Sequence, residues 1–372
     1  MSVDAVALLA EVDLGAIRHN VRQLAPRQGD AVMGVVKADA YGHGAVPVSR
    51  VLTEEGVEWL AVATVPEAVE LRDAGVDARI LVLAAPLDAY LPAYEAYRLD
   101  AVVSSAEVAD AVAARASPAA VHVKVDTGMG RLGVRPEDAP TVVRGLRQRG
   151  VSVEAVWTHL ATADAEDPSF AFLQLRRFDG VLRALGEDAP RLVHVANGPA
   201  HIRLPPMTSR PALVRLGGVL FGLASDPAME TVASGLKPAM RLVTRVVHTQ
   251  TVEEGDSVSY GRTWVAERPT RIATLAIGYA DGLPRSLSNQ GAIGIGGVTY
   301  PIVGRVCMDM TMVALGDPEG PAGAIQRGDE AVVFGPGGLS AVQLAQRAGT
   351  ISYELTAGLT ARVPRQWLGA DG

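Results

Sequence analysis

The chain is poor in cysteine, in positive charge and in long apolar runs, and each shortage excludes something. Its single cysteine, Cys307, rules out an intrachain disulfide and a cysteine-based metal site, and suits a reducing cytosol. Lys and Arg number 34 against 41 Asp and Glu, a formal charge of −7, which is not the basic footprint of a nucleic-acid binder. No apolar run reaches the roughly 18 residues of a membrane span. The first residues, MSVDAVALLAEVDLGAIRHN, hold Asp4 and Glu11 where a secretory signal would be basic and then apolar, so a cytoplasmic location is expected. No HExxH-type spacing occurs, and no metal site is expected.

What remains is ample for cores. The 372 residues are 48% hydrophobic and 20% charged, which points to two folded domains. After a short strand, Ala5 to Val12, Asp13 looks like the N-cap of a helix from Leu14 to Leu24. A strand–helix rhythm follows. Apolar strands are expected at 32–36, 59–64, 79–84, 100–103, 120–125, 153–157, 192–196 and 213–216. Helices fall between them at 46–55, 66–74, 87–97, 106–116, 136–149 and 169–185, with room for only a short one before the last strand. Apolar strands alternating with helices pair in parallel under a helical cover. Eight such units point to a (β/α)8 TIM-type barrel, taken as residues 1–236.

Near Lys237-Pro238 the rhythm changes to strand-like runs at 242–250, 270–277, 292–295, 302–306, 311–314 and 330–334, with one helix at 341–348. Residues 237–372 therefore read as a mainly β C-terminal domain, which the first short strand, about residues 1–12, could join.

The stretch AVMGVVKADAYGHG carries the first chemical signal. An apolar strand ends in Lys37, and a charged group there either tips into solvent or serves function. The other strand ends add to it. The fifth brings Lys124, Asp126 and Arg131, the sixth Thr158-His159, the seventh Asn197-Gly198, and the eighth Arg215 before Gly217-Gly218. In a barrel these ends share one face, where chemistry is done, and the corner after the last two strands commonly binds phosphate. Gly217-Gly218 could equally be a plain turn, and Arg215 a buried ion pair. A cofactor with both a phosphate and a carbonyl fits such a rim. Pyridoxal 5'-phosphate (PLP) is one, since its aldehyde takes a lysine amine and its pyridine nitrogen an Asp or Arg partner.

The segments VVKADAYGHG, VKVDTGMGRLG, WTHLATAD, VRLGGVLFGL, SYGRTW, IGYADG, GRVCMDM and ISYE occur here in the order found in alanine racemases. The sequence resembles that family from about residue 10 to about residue 365. The resemblance implies PLP as cofactor and Lys37 as its Schiff-base lysine and one acid/base. Tyr41 and Tyr353 would donate hydroxyls to the phosphate, beside Asn197 and the backbone of Gly198, Gly217 and Gly218. Arg215 would face the pyridine nitrogen, and His159 would stack on the ring and hydrogen-bond Tyr260. Tyr260 would be the second base, reaching in from the other subunit of a homodimer, with Met308 of that subunit and Arg131 binding the substrate carboxylate. Lys124 matches a lysine often carbamylated, which would position Arg131. Tyr279 and Asp164 resemble residues lining the entrance. His43, His194 and His201 carry no role in this reading.

The sequence departs from the family pattern in places. Gly198 stands where a serine is common, Gly218 where a larger aliphatic is, and Phe221 where a tyrosine is. Asp39 replaces a common asparagine, Leu283 an aromatic and Ala314 an acidic residue. The changes at Gly198 and Gly218 bear on the phosphate grip, where a lost hydroxyl contact is worth about 1 kcal/mol. The function implied is interconversion of L- and D-alanine by two bases on opposite faces of Cα, supplying D-alanine for bacterial cell-wall peptidoglycan. A PLP-dependent decarboxylase of the same architecture and a non-catalytic PLP carrier are the rivals. SYGRTW and CMDM speak for the racemase over the decarboxylase, and a carrier would need neither Tyr260 nor Met308.

Overall fold

In a computed structural model of the chain, the described residues are 7–24, 30–115, 118–205 and 210–369. They divide into two compact units, one from Arg18 to Leu220, the other formed by the residues before Arg18 and those from Phe221 onward. The first strand, β1 (Leu8–Asp13), belongs to the second unit. The expected residues Ala5, Val6 and Ala116 of the first strand and fifth helix lie outside the described residues.

Eight parallel strands make the first unit a nearly closed barrel: β2 (Ala31–Val35), β3 (Trp59–Val62), β4 (Arg79–Val82), β5 (Leu99–Val103), β6 (Val121–Lys124), β7 (Val153–Trp157), β8 (Leu192–His194) and β9 (Leu213–Leu216). They pair in chain order from β2 to β8, and β9 pairs with β2. Single bridges, Val193 to Ala212 and Asn197 to Arg215, tie β8 and its following loop to β9. Alternate side chains point inward, so Met33 and Val35 of β2 join Trp59, Leu81, Val102, Trp157 and Leu213 in one apolar cluster. Helices cover the outside. The helix Ala45–Glu54, for example, buries Val48, Val51 and Leu52 against the strands.

Two helices start later than their composition suggests. The stretch expected from Leu87 opens with a 3-10 turn, Asp88–Tyr90, and becomes α-helical at Leu91. The one expected from Pro136 begins at Ala139. In both, a proline, Pro92 or Pro140, sits in the first turn, where its missing N–H costs nothing.

In the second unit the long strand β10 (Met240–Val252) is the hub. It pairs antiparallel with β1, with β13 (Thr270–Leu275) and with β17 (Glu330–Phe334). Strands β11 (Ser257–Val258) and β12 (Trp264–Val265) form a small separate ribbon. Strand β14 (Ala292–Ile295) pairs with β15 (Val298–Pro301) and β17, β16 (Thr311–Gly316) with β13, and β18 (Arg365–Leu368) lies parallel to β1. Register shifts at Val246/His248 and Leu242/Val243 let one strand serve three neighbours by bending.

One expected strand is misplaced. Residues 302–306 are not a strand, and the pairing segment is Val298–Pro301 just before them. The reason lies in backbone partners. Ile302 N–H donates to Gly291, Val303 to Met312, Gly304 to the Asn289 side chain and Val306 to the Ser288 hydroxyl, and Gly304 has φ +73. These N–H groups go to four separate partners, so pairing with β16 stops at a single bridge, Ile302 to Val313, and no ladder forms.

Candidate active site

Strand β2 ends at Val35, and Lys37 opens a turn of unusual hand. Ala38, Asp39, Ala40 and Tyr41 have φ of 52, 52, 52 and 56. Left-handed backbone costs a non-glycine residue roughly 1–2 kcal/mol, so the turn must be held. His43 Nδ1 lies 3.0 Å from the carbonyls of both Ala40 and Tyr41. Asp39 accepts the Ala45 N–H at 2.7 Å, and Glu67 accepts the Ala38 N–H at 2.8 Å. Aspartate is among the few residues that tolerate this region, which accounts for Asp39. The other oxygen of Glu67 accepts the N–H groups of Ala63 and Thr64, at 2.7 and 2.9 Å. Lys37 is half-buried. Burial, then the charge of Arg131, lowers its pKa, and Glu67 partly opposes them.

The turn delivers Tyr41 across the rim. Its hydroxyl lies so close to Gly217 that a Cβ there would meet it at 2.5 Å. Burial pushes this phenol up to about 12, so it stays protonated and able to donate. Nearby, Asn197 caps the short helix Gly198–Arg203 by accepting the Ala200 N–H at 3.1 Å. A Cβ on Gly198 would meet the Val219 Cγ2 methyl at 2.6 Å, which explains why glycine stands there.

Arg215, on β9, is 4% exposed and surrounded by acceptors. Its Nη2 donates to the carbonyls of Thr158 at 2.8 Å and Val195 at 3.1 Å and reaches His159 Nδ1 at 3.2 Å. Its Nη1 reaches His194 Nδ1 at 3.1 Å. An arginine only donates, so His159 accepts on Nδ1 and carries its proton on Nε2. Burial, then the charge of Arg215, holds this imidazole down to about 2, and it is neutral at any working pH.

Lys124, at the end of β6, is 1% exposed, and its ammonium has no hydrogen-bond partner among the described residues. It sits 4.6 Å from the Trp157 ring centroid. Burial, then Arg215 and Arg131, lowers its pKa to about 8. Arg131 is exposed on a loop shaped by Asp126, which accepts the Gly128 and Gly130 N–H groups at 2.9 and 3.0 Å. Asp164 lies half-buried in the loop after β7, which Arg203 holds by donating to Ala165 O at 2.6 Å. Lys37, Lys124, Arg131 and Arg215 all act on His159, so the rim is strongly cationic.

Tyr260, Tyr279, Met308 and Tyr353 belong to the second unit. Tyr260 is 73% exposed on a turn where Ser259 has φ +69, and Met308 is 52% exposed. The loops carrying Tyr260, Tyr279 and Met308 are tied together. Ser259 Oγ donates to Arg305 O at 2.7 Å, the Tyr279 N–H to Cys307 O at 3.0 Å and the Ala280 N–H to Met308 O at 3.0 Å. Arg362 clamps Asp281 and Asp309 at 3.1 and 2.7 Å. Tyr353 lies half-buried on the helix Ser352–Ala357.

Two residues of this region went unread in the sequence. Glu67 was legible as a helix cap, since Thr64-Val-Pro-Glu67 is a capping box, but not as a strut under Lys37. His194, assigned no role, touches Arg215 of the neighbouring strand, a contact that only strand register reveals.

A family model described as "Alanine racemase, N-terminal domain" matches residues 12–225, and one described as "Alanine racemase, C-terminal domain" matches 239–367. The chain belongs to the alanine racemase family. This is a family of PLP-dependent racemases. An alanine racemase of Cutibacterium acnes is 41% identical, with 97% of each chain covered. That of Desulforamulus reducens is 40% identical over 97% of this chain and 98% of the relative. Among solved structures, the alanine racemase of D-cycloserine-producing Streptomyces lavendulae superposes with a TM-score of 0.88 at 37% identity, covering 98% of this chain and 97% of that one. The biosynthetic alanine racemase of Pseudomonas aeruginosa gives 0.88 at 37%, covering 97% and 99%. Among the described residues no helix is long and apolar enough to cross a membrane.

Proposed function

We propose that this alanine racemase-family chain interconverts L- and D-alanine with PLP, using Lys37 and Tyr260 as bases on opposite faces of the substrate Cα. The observation that carries this reading is the rim itself, where Lys37, Tyr41, His159 and Arg215 converge around a cradle closed by Gly217.

The residues present fit PLP. Gly217, having no Cβ, lets the Tyr41 hydroxyl reach the rim, and the rim is cationic, as a phosphate and a carboxylate require. Tyr41, Tyr353, Asn197, Gly198, Gly217 and Gly218 would hold the phosphate, and Arg215 would donate to the pyridine nitrogen. When bound, PLP supplies the electron sink that makes the Cα proton removable.

The protein's own groups divide the rest. Lys37 has its pKa lowered, so its neutral amine is accessible to take or return a proton on one face. Tyr260 serves the other face, and the Nε2–H of His159, fixed by Arg215, is the donor that favours its phenolate. Arg131 binds the substrate carboxylate, with the Met308 backbone beside it. Arg215 cannot readily release a proton, which keeps the cofactor a weak sink and limits side reactions such as transamination. Carbamylation of Lys124 would take up carbon dioxide, release two protons and turn an unpaired buried cation into an anion beside Arg131 and Arg215.

The exposure of Tyr260 and Met308, with Met310 at 49%, supports a homodimer in which each supplies the partner's site. A cytosolic enzyme feeding D-alanine to the cell wall completes the reading, in keeping with the free thiol of Cys307. The test is proton NMR of L-alanine and D-alanine in deuterated water with enzyme and PLP, plus a chiral assay. Loss of the Cα proton from both enantiomers and convergence on an equal mixture support racemisation. Carbon dioxide release points instead to a decarboxylase, and bound PLP with no exchange across a panel of amino acids to a carrier.

A further inference from the structure

A line of buried polar groups runs through the barrel away from the rim. It begins at Arg215, whose Nη1 lies 3.1 Å from His194 Nδ1. His194 Nε2 is 2.9 Å from His122 Nδ1, and His122 Nε2 faces the Asp100 carboxylate at 3.6 Å. Arg79 clamps Asp100 at 3.0 Å and Glu154 at 3.2 Å. Asp100 is 1% exposed, and His122 and His194 are 0% exposed. Burying such a line is costly unless its members satisfy one another.

We propose that Asp100, acting through His122 and His194, is a positioning residue for Arg215. The direction of every proton follows from one fact: a guanidinium only donates. His194 must accept on Nδ1, so its proton is on Nε2. That proton points at His122 Nδ1, which must then accept. The His122 proton is therefore on Nε2, facing the carboxylate. No other neutral assignment satisfies the two short contacts together. The last step is longer than a hydrogen bond and acts as a charge contact. Burial, then the charge of Arg215, keeps His194 well below the usual imidazole range, which agrees with a neutral ring. Packing fixes the planes: Trp157 stacks on His194 at 4.9 Å, and Trp59 meets His122 edge-on at 5.4 Å.

The carboxylate thus stabilises, from the far end, the tautomers that Arg215 dictates. Without it, the His122 Nε2–H faces no anion, and the form with the proton on Nδ1 gains population. On Nδ1 that proton would oppose the His194 N–H, and Arg215 would lose one of its acceptors. The role matters for catalysis because Arg215 is read above as the partner of the cofactor ring, and the inference rests on that reading.

The test is nitrogen-15 histidine NMR of the wild-type protein with and without PLP, beside Asp100→Leu and Asp100→Asn. The wild type should show His122 and His194 neutral with protons on Nε2; a proton on Nδ1 of either ring overturns the proposal. Leucine at 100 should shift the His194 signals even without PLP, although the two residues do not touch, and lower kcat about tenfold at constant KM. Asparagine, which keeps the shape but removes the charge, should shift the His194 signals and lower kcat as leucine does. His194 signals unmoved in either variant overturn the proposal. If the leucine variant does not fold, the wild-type tautomers and the asparagine variant still decide. A wild type that does not racemise alanine refutes the proposed function, whereas the imidazole signals still report the relay.

Discussion

The hydroxyl of Tyr41 lies against the α-carbon of Gly217, with no room for a side chain between them. A left-handed turn from β2 and the end of β9 thereby meet at one point of the rim. Gly217→Ala should push the phenol aside and weaken PLP retention roughly tenfold, about the worth of one hydrogen bond to a charged acceptor. Dialysis against a PLP scavenger, followed by cofactor absorbance, measures this. Tyr41→Phe should lose a similar amount, and adding Gly217→Ala to it should cost little more, because the two act through one contact.

Gly198 and Val219 form a second tight pair. Gly198→Ser forces the new Cβ against the valine methyls and should destabilise the fold by about 1–3 kcal/mol. Val219→Ala added to it should return much of that loss. Urea unfolding of the single and double variants checks the pairing, and a serine variant as stable as wild type would falsify it.

Lys124 gives a signed pH effect. Its folded pKa of about 8 lies below the usual lysine value of 10.5, so the unfolded chain binds more protons between those values. Stability should therefore rise with pH across that window, and the penalty should be fully present below pH 8. In Lys124→Met this contribution should vanish. Unfolding of both proteins, PLP-free and in carbonate-free buffer, at pH 7 and pH 10 reads the difference. Separately, mass spectrometry of the native protein in bicarbonate should show one added carboxylate in wild type and none in Lys124→Met.

The proposed sharing of sites between two subunits makes a prediction that no single-chain site would satisfy. Lys37→Ala and Tyr260→Phe should each lower kcat by about 10²–10⁴ in both directions. Mixing the two inactive variants under exchange conditions should restore activity, since each mixed dimer would carry one intact site. Failure of mixing to recover any turnover, with exchange confirmed by mass, argues that each site is built within one chain.

The barrel was readable because its strands are short apolar runs closed by polar residues, and Lys37 stood out as a charge at the end of one. The left-handed turn after it was not readable. Lys-Ala-Asp-Ala-Tyr favours an ordinary right-handed helix, and contacts made by His43, Asp39 and Glu67 hold the opposite hand. Ile302–Val306 looked like a strand by its apolar residues, but Pro301 and Gly304 and the distribution of its N–H partners exclude one. Strand β18 escaped notice because it is short and partly exposed and exists through pairing with β1, far away in sequence. The Arg215–His194–His122 line depends on strand register across the barrel, which local pattern does not encode.

The pairing of β1 has a consequence for how the chain is made. Ala10 is opposite Leu242 on one side and Arg365 on the other. During synthesis at about 5–20 residues per second, β1 emerges at the start and waits on the order of half a minute for its last neighbour. The barrel strands, all encoded between these partners, can assemble on the ribosome in the meantime. Until Arg365 is made, β1 keeps one unpaired edge, which Glu11 and Asp13 make a poor template for stray strands.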